Sequence, residues 1–311
     1  MRYPQLDQLK LILAVLIVGL HTNVLQEVST AIAYALNNGL ARLAVPLFFM
    51  LSGYFLAQRA HPKIWPWAKP ILLLYGLWQV VYLPFYTPAP TLAAWLSTWA
   101  FGYWHLWYLN ALLLAGGVVL WCYQRGWQRP LAYTVVPLYL VGCIIQYLQH
   151  YAGLTLPLES YRNALWFGLP FMVLGTWADT LAAQPTARLK RWLAGGLLLL
   201  GAEVYAAWAL APNPQPMDLY FSLIIVVPAL LGLVLKHCQQ PTPHAAPNPP
   251  RPYSAMASGL YLLHPLLMHL ALQGGVPYGS PVFAVTLALS LMGVVPLLWL
   301  AQRARRYWRL V

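Results

Sequence analysis

Long apolar runs separated by short polar breaks dominate this chain. They fall at about residues 6–25, 40–58, 66–86, 104–122, 131–150, 164–181, 192–211, 218–236, 254–272 and 280–300. At 1.5 Å of rise per residue, each is long enough to cross roughly 30 Å of hydrocarbon as a helix. Backbone polar groups in lipid must be satisfied within the segment, which selects helices. A transmembrane strand would alternate polar and apolar residues over about ten positions. Leu11–Leu20 and Ile224–Leu235 show no such alternation. The pattern predicts an all-α, polytopic transmembrane helix bundle of about ten spans.

The basic residues orient that bundle. With ten spans, 16 of the 18 Lys and Arg fall on one side, in the N-terminal end, alternate loops and the C-terminal tail. Only Arg42 and Arg162 fall on the other. One missed helix would scramble this split. The positive-inside rule then places both termini in the cytoplasm. A cleaved signal peptide ending near Ala31-Ile32-Ala33 is the rival reading of the N-terminus. Against it, the first apolar run carries His21, and removing the run would unbalance the loop count.

Composition agrees with a lipid solvent. Of 311 residues, 60% are hydrophobic and 8% charged, whereas soluble domains carry roughly 25% charged residues. Ten spans and short loops use up the length, so one membrane domain is expected over residues 1–311, with no separate soluble catalytic domain. Pro241–Pro252 is too proline-dense for a helix and reads as a flexible cytoplasmic loop, with no role expected for its His244. The net charge of +12 is spread over loops rather than gathered on one face, which argues against nucleic acid as a partner. Cys122, Cys143 and Cys238 have no metal-ligand or redox spacing, and no metal is expected. No internal repeat is visible, which argues weakly against a tandem-repeat transporter. Most of the 15 Trp and 20 Tyr sit at span ends, among them Trp65, Trp67, Trp95, Trp99 and Trp308, as interfacial belts do.

Ionisable groups inside a bilayer are costly and each needs a reason. Lys10 and His21 share the first span, eleven residues and about 16 Å apart. Lys10 lies at headgroup level, where an ion pair with Asp7 or simple snorkelling explains it as well as a ligand does. His21 alone reads equally as a packing residue. Its company changes that: Arg42, His105 and Arg162-Asn163 enter spans 2, 4 and 6 at similar depth. Trp107, Tyr108 and Asn110 follow His105. Polar groups converging at one depth suggest a pocket. Glu203 and His264 lie deeper, in spans 7 and 9, and an ionised Glu there requires a proton or a partner, a His or Arg in the structural reading.

These residues carry a family resemblance. Leu6-Asp7-Gln8-Leu9-Lys10 through His21 resembles the first helix of the acyltransferase 3 family, with Lys10 where the family has arginine. Arg42–Tyr54, His105–Leu109 and Ser258–Pro265 resemble its second, fourth and penultimate helices. Arg162–Gly168 is similar to one branch, which includes the membrane domain of vancomycin-resistance-type serine racemases. The likeness runs from residue 5 to about 300. It implies a multi-pass bacterial inner-membrane O-acyltransferase. Such an enzyme moves an acyl group, usually acetyl, from cytoplasmic acyl-CoA to a hydroxyl of an extracytoplasmic acceptor such as a cell-surface glycan.

That chemistry needs a base for the hydroxyl proton, donors for the oxyanion and an anchor for an anionic donor. His21 is the expected general base or transient acyl carrier, with Arg42 and His105 as oxyanion or acceptor-orienting groups. Lys10 would meet the CoA phosphates, as a point charge without arginine's bidentate fork. Trp107, Tyr108, Asn110, Arg162, Asn163, Glu203 and His264 would line the substrate pocket. Transport of a small polar molecule such as an amino acid is the rival function, since intramembrane charge suits it equally.

Overall fold

A computed structural model describes residues 3–59, 63–85, 91–211, 215–239 and 253–307. The loop expected at 241–252, with His244, and Trp308 lie outside them. The described residues form α1 (Pro4–Thr22), α2 (Thr30–Asn38), α3 (Ala44–Ala57), α4 (Ile64–Tyr82), α5 (Leu92–Phe101), α6 (Trp107–Gln124) and α7 (Gln128–Ala152). They continue with α8 (Leu169–Thr176), α9 (Ala178–Ala182), α10 (Thr186–Ala209), α11 (Leu223–Cys238), α12 (Tyr253–Gln273) and α13 (Ser280–Tyr307). A 3₁₀ turn at Leu40–Leu43 precedes α3, and a π turn at Ala164–Gly168 precedes α8. Every apolar run contains helix, as the pattern predicted.

Among the described residues, seven helical segments are long and apolar enough to cross a bilayer, and four apolar ones are shorter. Large apolar side chains stand open midway along these helices: Leu198 is 78% and Leu73 64% exposed. A water-soluble surface rarely gathers such residues into patches, whereas lipid accepts them.

Several segments depart from the uninterrupted spans expected, among them α2, which falls between the first two runs. Residues 92–101, left between spans, form α5, capped by the Thr91 hydroxyl, which accepts from the Ala94 N–H. At ten residues it is too short to register as a span. The run at 164–181 is broken into a π turn, α8 and α9. In the run at 218–236, helix begins only at Leu223. The irregular backbone before α11 is held by buried side chains. Gln146 accepts the Leu219 N–H at 2.8 Å, and the Tyr139 hydroxyl donates to the Tyr220 carbonyl at 2.7 Å. Non-helical backbone at membrane depth persists only where protein satisfies it in this way.

The chain divides into two compact units: Met1–Ala44 with His237–Val311, and Val45–Lys236. In the first, α1, α12 and α13 pack against one another, and the Leu40–Leu43 turn packs on α1 and α2. In the second, α6 packs on α4, the π turn and α8, and α7 packs on α8. There, α3 and α8 meet at two glycines. A Cβ on Gly53 would overlap the Met172 carbonyl, and one on Gly175 the Met50 carbonyl. Small residues that let helix backbones touch are a recurrent device of membrane proteins, where packing replaces the hydrophobic drive.

Candidate functional site

In the first unit, Pro4 opens α1 with its φ preset for the first helical turn, and Asn23 closes it in the left-handed region. The helix thus carries Lys10 and His21 on one rigid rod. His21 faces α12: its ring centroid lies 5.2 Å from that of His264, with planes tilted by 33°. His264 is fully buried, and its Nδ1 lies 2.9 Å from the Leu260 carbonyl. A carbonyl can only accept, so Nδ1 carries a proton.

Arg42 lies in the turn that packs on α1. It is 9% exposed and donates from Nη2 to Asn38 Oδ1 at 2.7 Å. Lys10 sits 3.3 Å from Asp7, one turn away on the same helix. The end of α1 is tied to α13. The Tyr278 hydroxyl donates to the His21 carbonyl at 2.9 Å, and Leu25, at φ 69°, donates its N–H to the Ser280 hydroxyl at 3.1 Å. The Ser280 N–H in turn donates to the Glu27 carboxylate at 3.2 Å. Hydrogen bonding to Ser280 lowers the Glu27 pKa below its usual value. A carboxylate at a helix N-terminus is favoured on the same grounds.

In the second unit, His105 is 3% exposed and meets the Tyr82 ring edge-on at 5.0 Å. The turn that delivers it holds Trp104 at φ 47°, unfavourable for a bulky residue, next to Gly102 at φ 95°, which glycine adopts freely. An unfavourable backbone kept beside a polar residue is a marker of a functional position. Trp107 stacks on Phe167 at 5.8 Å, and the Arg162 guanidinium lies 5.2 Å over the Trp107 ring while reaching Asp218 at 3.8 Å. Tyr108 packs on Phe49 at 4.7 Å, with its hydroxyl 3.5 Å from the Ser52 hydroxyl. Trp107, Tyr108 and Arg162 are therefore gathered around one aromatic cluster.

Asn110, Asn163 and Glu203 hold backbone. Asn110 donates to the Ala100 carbonyl at 2.7 Å, joining α6 to α5. Asn163 Oδ1 accepts the Leu165 and Trp166 N–H groups and starts the π turn. Among the described residues, Glu203 pairs with neither a histidine nor an arginine. It accepts the Tyr147 hydroxyl at 2.6 Å and the N–H groups of Phe221 and Ser222 at 2.8 and 3.0 Å, which enter α11. Backbone N–H groups at a helix start satisfy a part-buried carboxylate as a cation would.

Sequence reasoning did not pair His21 with His264, and it passed over Asn38, Tyr278 and Glu27. The Asn37-Asn38 pair just before the second apolar run was the available signal. It also passed over Gln146 and Gln149, polar residues near the end of the fifth run.

Fold and composition together define a multi-pass, all-α membrane protein. Residues 3–302 match the family described as an acyltransferase domain, and the chain belongs to that family. It is 27% identical to an amino-acid racemase of Enterococcus faecalis, over 56% of this chain and 27% of that protein. It is 25% identical to a serine/alanine racemase of Enterococcus gallinarum, over 85% of this chain and 41% of that protein. The chain thus spans less than half the length of either relative. No solved structure matches it.

Proposed function

We propose that this protein is an O-acyltransferase of the bacterial inner membrane with both termini in the cytoplasm. It takes an acyl group, acetyl in the simplest case, from acyl-CoA and transfers it to a hydroxyl of an extracytoplasmic or membrane-associated acceptor such as a glycan. The observation that carries this reading is the His21–His264 pair inside the first unit, with Arg42 on the turn packed against α1.

In the reaction, the thioester C–S bond breaks and an ester C–O bond forms. The acceptor's hydroxyl proton passes to a His21 ring nitrogen and then to the departing CoA sulfur. His21 acts as general base or transient acyl carrier, and an imidazole has a pKa suited to either. Arg42 stabilises the oxyanion, and Lys10, about 16 Å along α1, meets the donor's phosphates. His105 belongs to the second unit, and loss of acyl transfer in a folded His105→Ala protein tests its part in the reaction.

The test is label transfer from radioactive acetyl-CoA to a hydroxyl-bearing acceptor by the purified protein. His21→Ala, shown to insert and fold, should lose it; undiminished transfer would remove His21 from the mechanism. The rival reading is transport of a small polar molecule such as an amino acid. It is favoured by one observation, that both relatives are named for amino-acid racemisation. Uptake of labelled amino acid into proteoliposomes without CoA would establish transport and displace the enzyme reading.

A further inference from the structure

Within the first unit, α2 ends on two adjacent amides, both buried: Asn37 is 2% and Asn38 7% exposed. Their side chains reach in different directions. Asn37 Nδ2 donates to Asn23 Oδ1 at 3.0 Å and to the Val24 carbonyl at 3.1 Å. Asn23 caps α1, two residues past His21, and its own Nδ2 donates to Gln26 Oε1 at 2.6 Å. Asn37 thus pins α2 to the end of the helix that carries His21. Asn38 Oδ1 instead accepts from Arg42 Nη2 at 2.7 Å. The two residues have the spacing of helical neighbours, but no continuous α-helix joins them. Gly39, at φ −116° and ψ −86°, ends α2, and a 3₁₀ turn carries Arg42. An arginine side chain at such a break has many rotamers to choose from, and the Asn38 contact selects among them.

We propose that Asn38, seated by Asn37, is a positioning residue that fixes the Arg42 guanidinium against the end of α1 without itself neutralising the cation. An amide oxygen accepts from a guanidinium but carries no net charge. A carboxylate in its place would also hold the side chain, and would cancel the field that a developing oxyanion needs. The consequence for catalysis rests on the acyl-transfer reading of Arg42; the fixing of its side chain does not.

Two measurements on the full chain in detergent test this. The first is nitrogen NMR of protein carrying isotope-labelled arginine, with the Arg42 resonances identified by their loss in Arg42→Lys. A guanidinium held at Nη2 turns slowly about its Cζ–Nε bond and shows separate Nη signals, which Asn38→Leu should merge. Merged signals in the parent, or separate ones that survive in Asn38→Leu, overturn the proposal. No acyl donor is present, so this result stands whether or not the protein transfers acyl groups. The second is the rate of acyl transfer, and its absence in the parent refutes the acyl-transfer reading alone. Asn38→Leu should lower kcat about 10–100-fold with KM for acyl-CoA unchanged, as loss of alignment in the transition state does. Added to Arg42→Ala, it should cost nothing further, because Asn38 acts only through that side chain. Asn38→Asp keeps the acceptor and should fold as the parent does, yet be slowed as well. Losses that multiply across Asn38→Leu and Arg42→Ala, or a parental rate in Asn38→Asp, would mark Asn38 as merely structural and overturn the proposal.

Discussion

The rings of His21 and His264 lie 5.2 Å apart although 243 positions separate them in the chain. The packing of α1 on α12 closes that gap. If the two imidazoles act as one proton-handling unit, their loss is not additive. His21→Ala and His264→Ala should each lower acyl transfer by about 10²–10⁴-fold, the usual size of a general-base contribution. The double variant should be no slower than the worse single one, because residues that act as a unit fail together. Rates that multiply across the three variants would show independent roles.

The α3–α8 crossing rests on contact between backbones, so trimming side chains cannot relieve a clash there. Gly53→Ala places a Cβ on the Met172 carbonyl. It should destabilise the protein by about 1–3 kcal/mol, as overpacking does. Met172→Ala should not rescue it. Thermal unfolding of the three variants in one detergent checks this, and full rescue would mean that side-chain packing sets the approach.

Glu203 is read as a structural carboxylate. Glu203→Leu strands the Tyr147 hydroxyl and the Phe221 and Ser222 N–H groups, and should cost about 3 kcal/mol or more. Glu203→Gln keeps an acceptor and should recover most of that stability with acyl transfer near the parent's rate. A well-folded Glu203→Gln protein without activity would instead place the carboxylate in the chemistry.

The contrast between Glu203 and His21 marks what the sequence could reveal. Hydropathy fixed where helices occur, because a span must hide its backbone regardless of its neighbours. It did not reveal where helices break. The late start of α11 depends on Glu203 and Gln146 reaching backbone from other helices, and no local pattern records such partners. Likewise, the polar residues of α1 and α12 were legible as exceptions in lipid, but their pairing is tertiary. Asn110 and Asn163 looked the same as pocket residues in the sequence because an amide that binds backbone and one that binds ligand differ only in surroundings.

Glu27 gives a pH signature. Its pKa is lowered in the folded protein, chiefly by hydrogen bonding to Ser280. A depressed folded pKa contributes stability that is complete above the unfolded carboxylate's pKa and lost as pH falls through the folded one. The link between the 23–29 loop and α13 should therefore hold at neutral pH and loosen only in acid, below the ordinary carboxylate range. Glu27→Gln should remove this increment: its unfolding temperature should fall short of the parent's at pH 7 and converge with it in acid. A gap that stays constant with pH would rule out the carboxylate as the source.

Lys10 offers the sharpest separation between an anchor and an ion pair. Its ammonium is 3.3 Å from Asp7, one turn away on the same helix. If Lys10 serves only that pair, Asp7→Asn and Lys10→Ala should have matching small effects, since such pairs contribute under about 1 kcal/mol. If it meets the donor's phosphates, the two variants diverge. Lys10→Ala raises KM for acyl-CoA several-fold, whereas Asp7→Asn removes a competing anion and leaves KM unchanged or lower. Lys10→Arg decides the remaining point, because a guanidinium forks onto phosphate where an ammonium cannot. The arginine variant should bind acyl-CoA at least as tightly as the parent with kcat unchanged. A KM that is insensitive to all three substitutions would move the donor site away from α1.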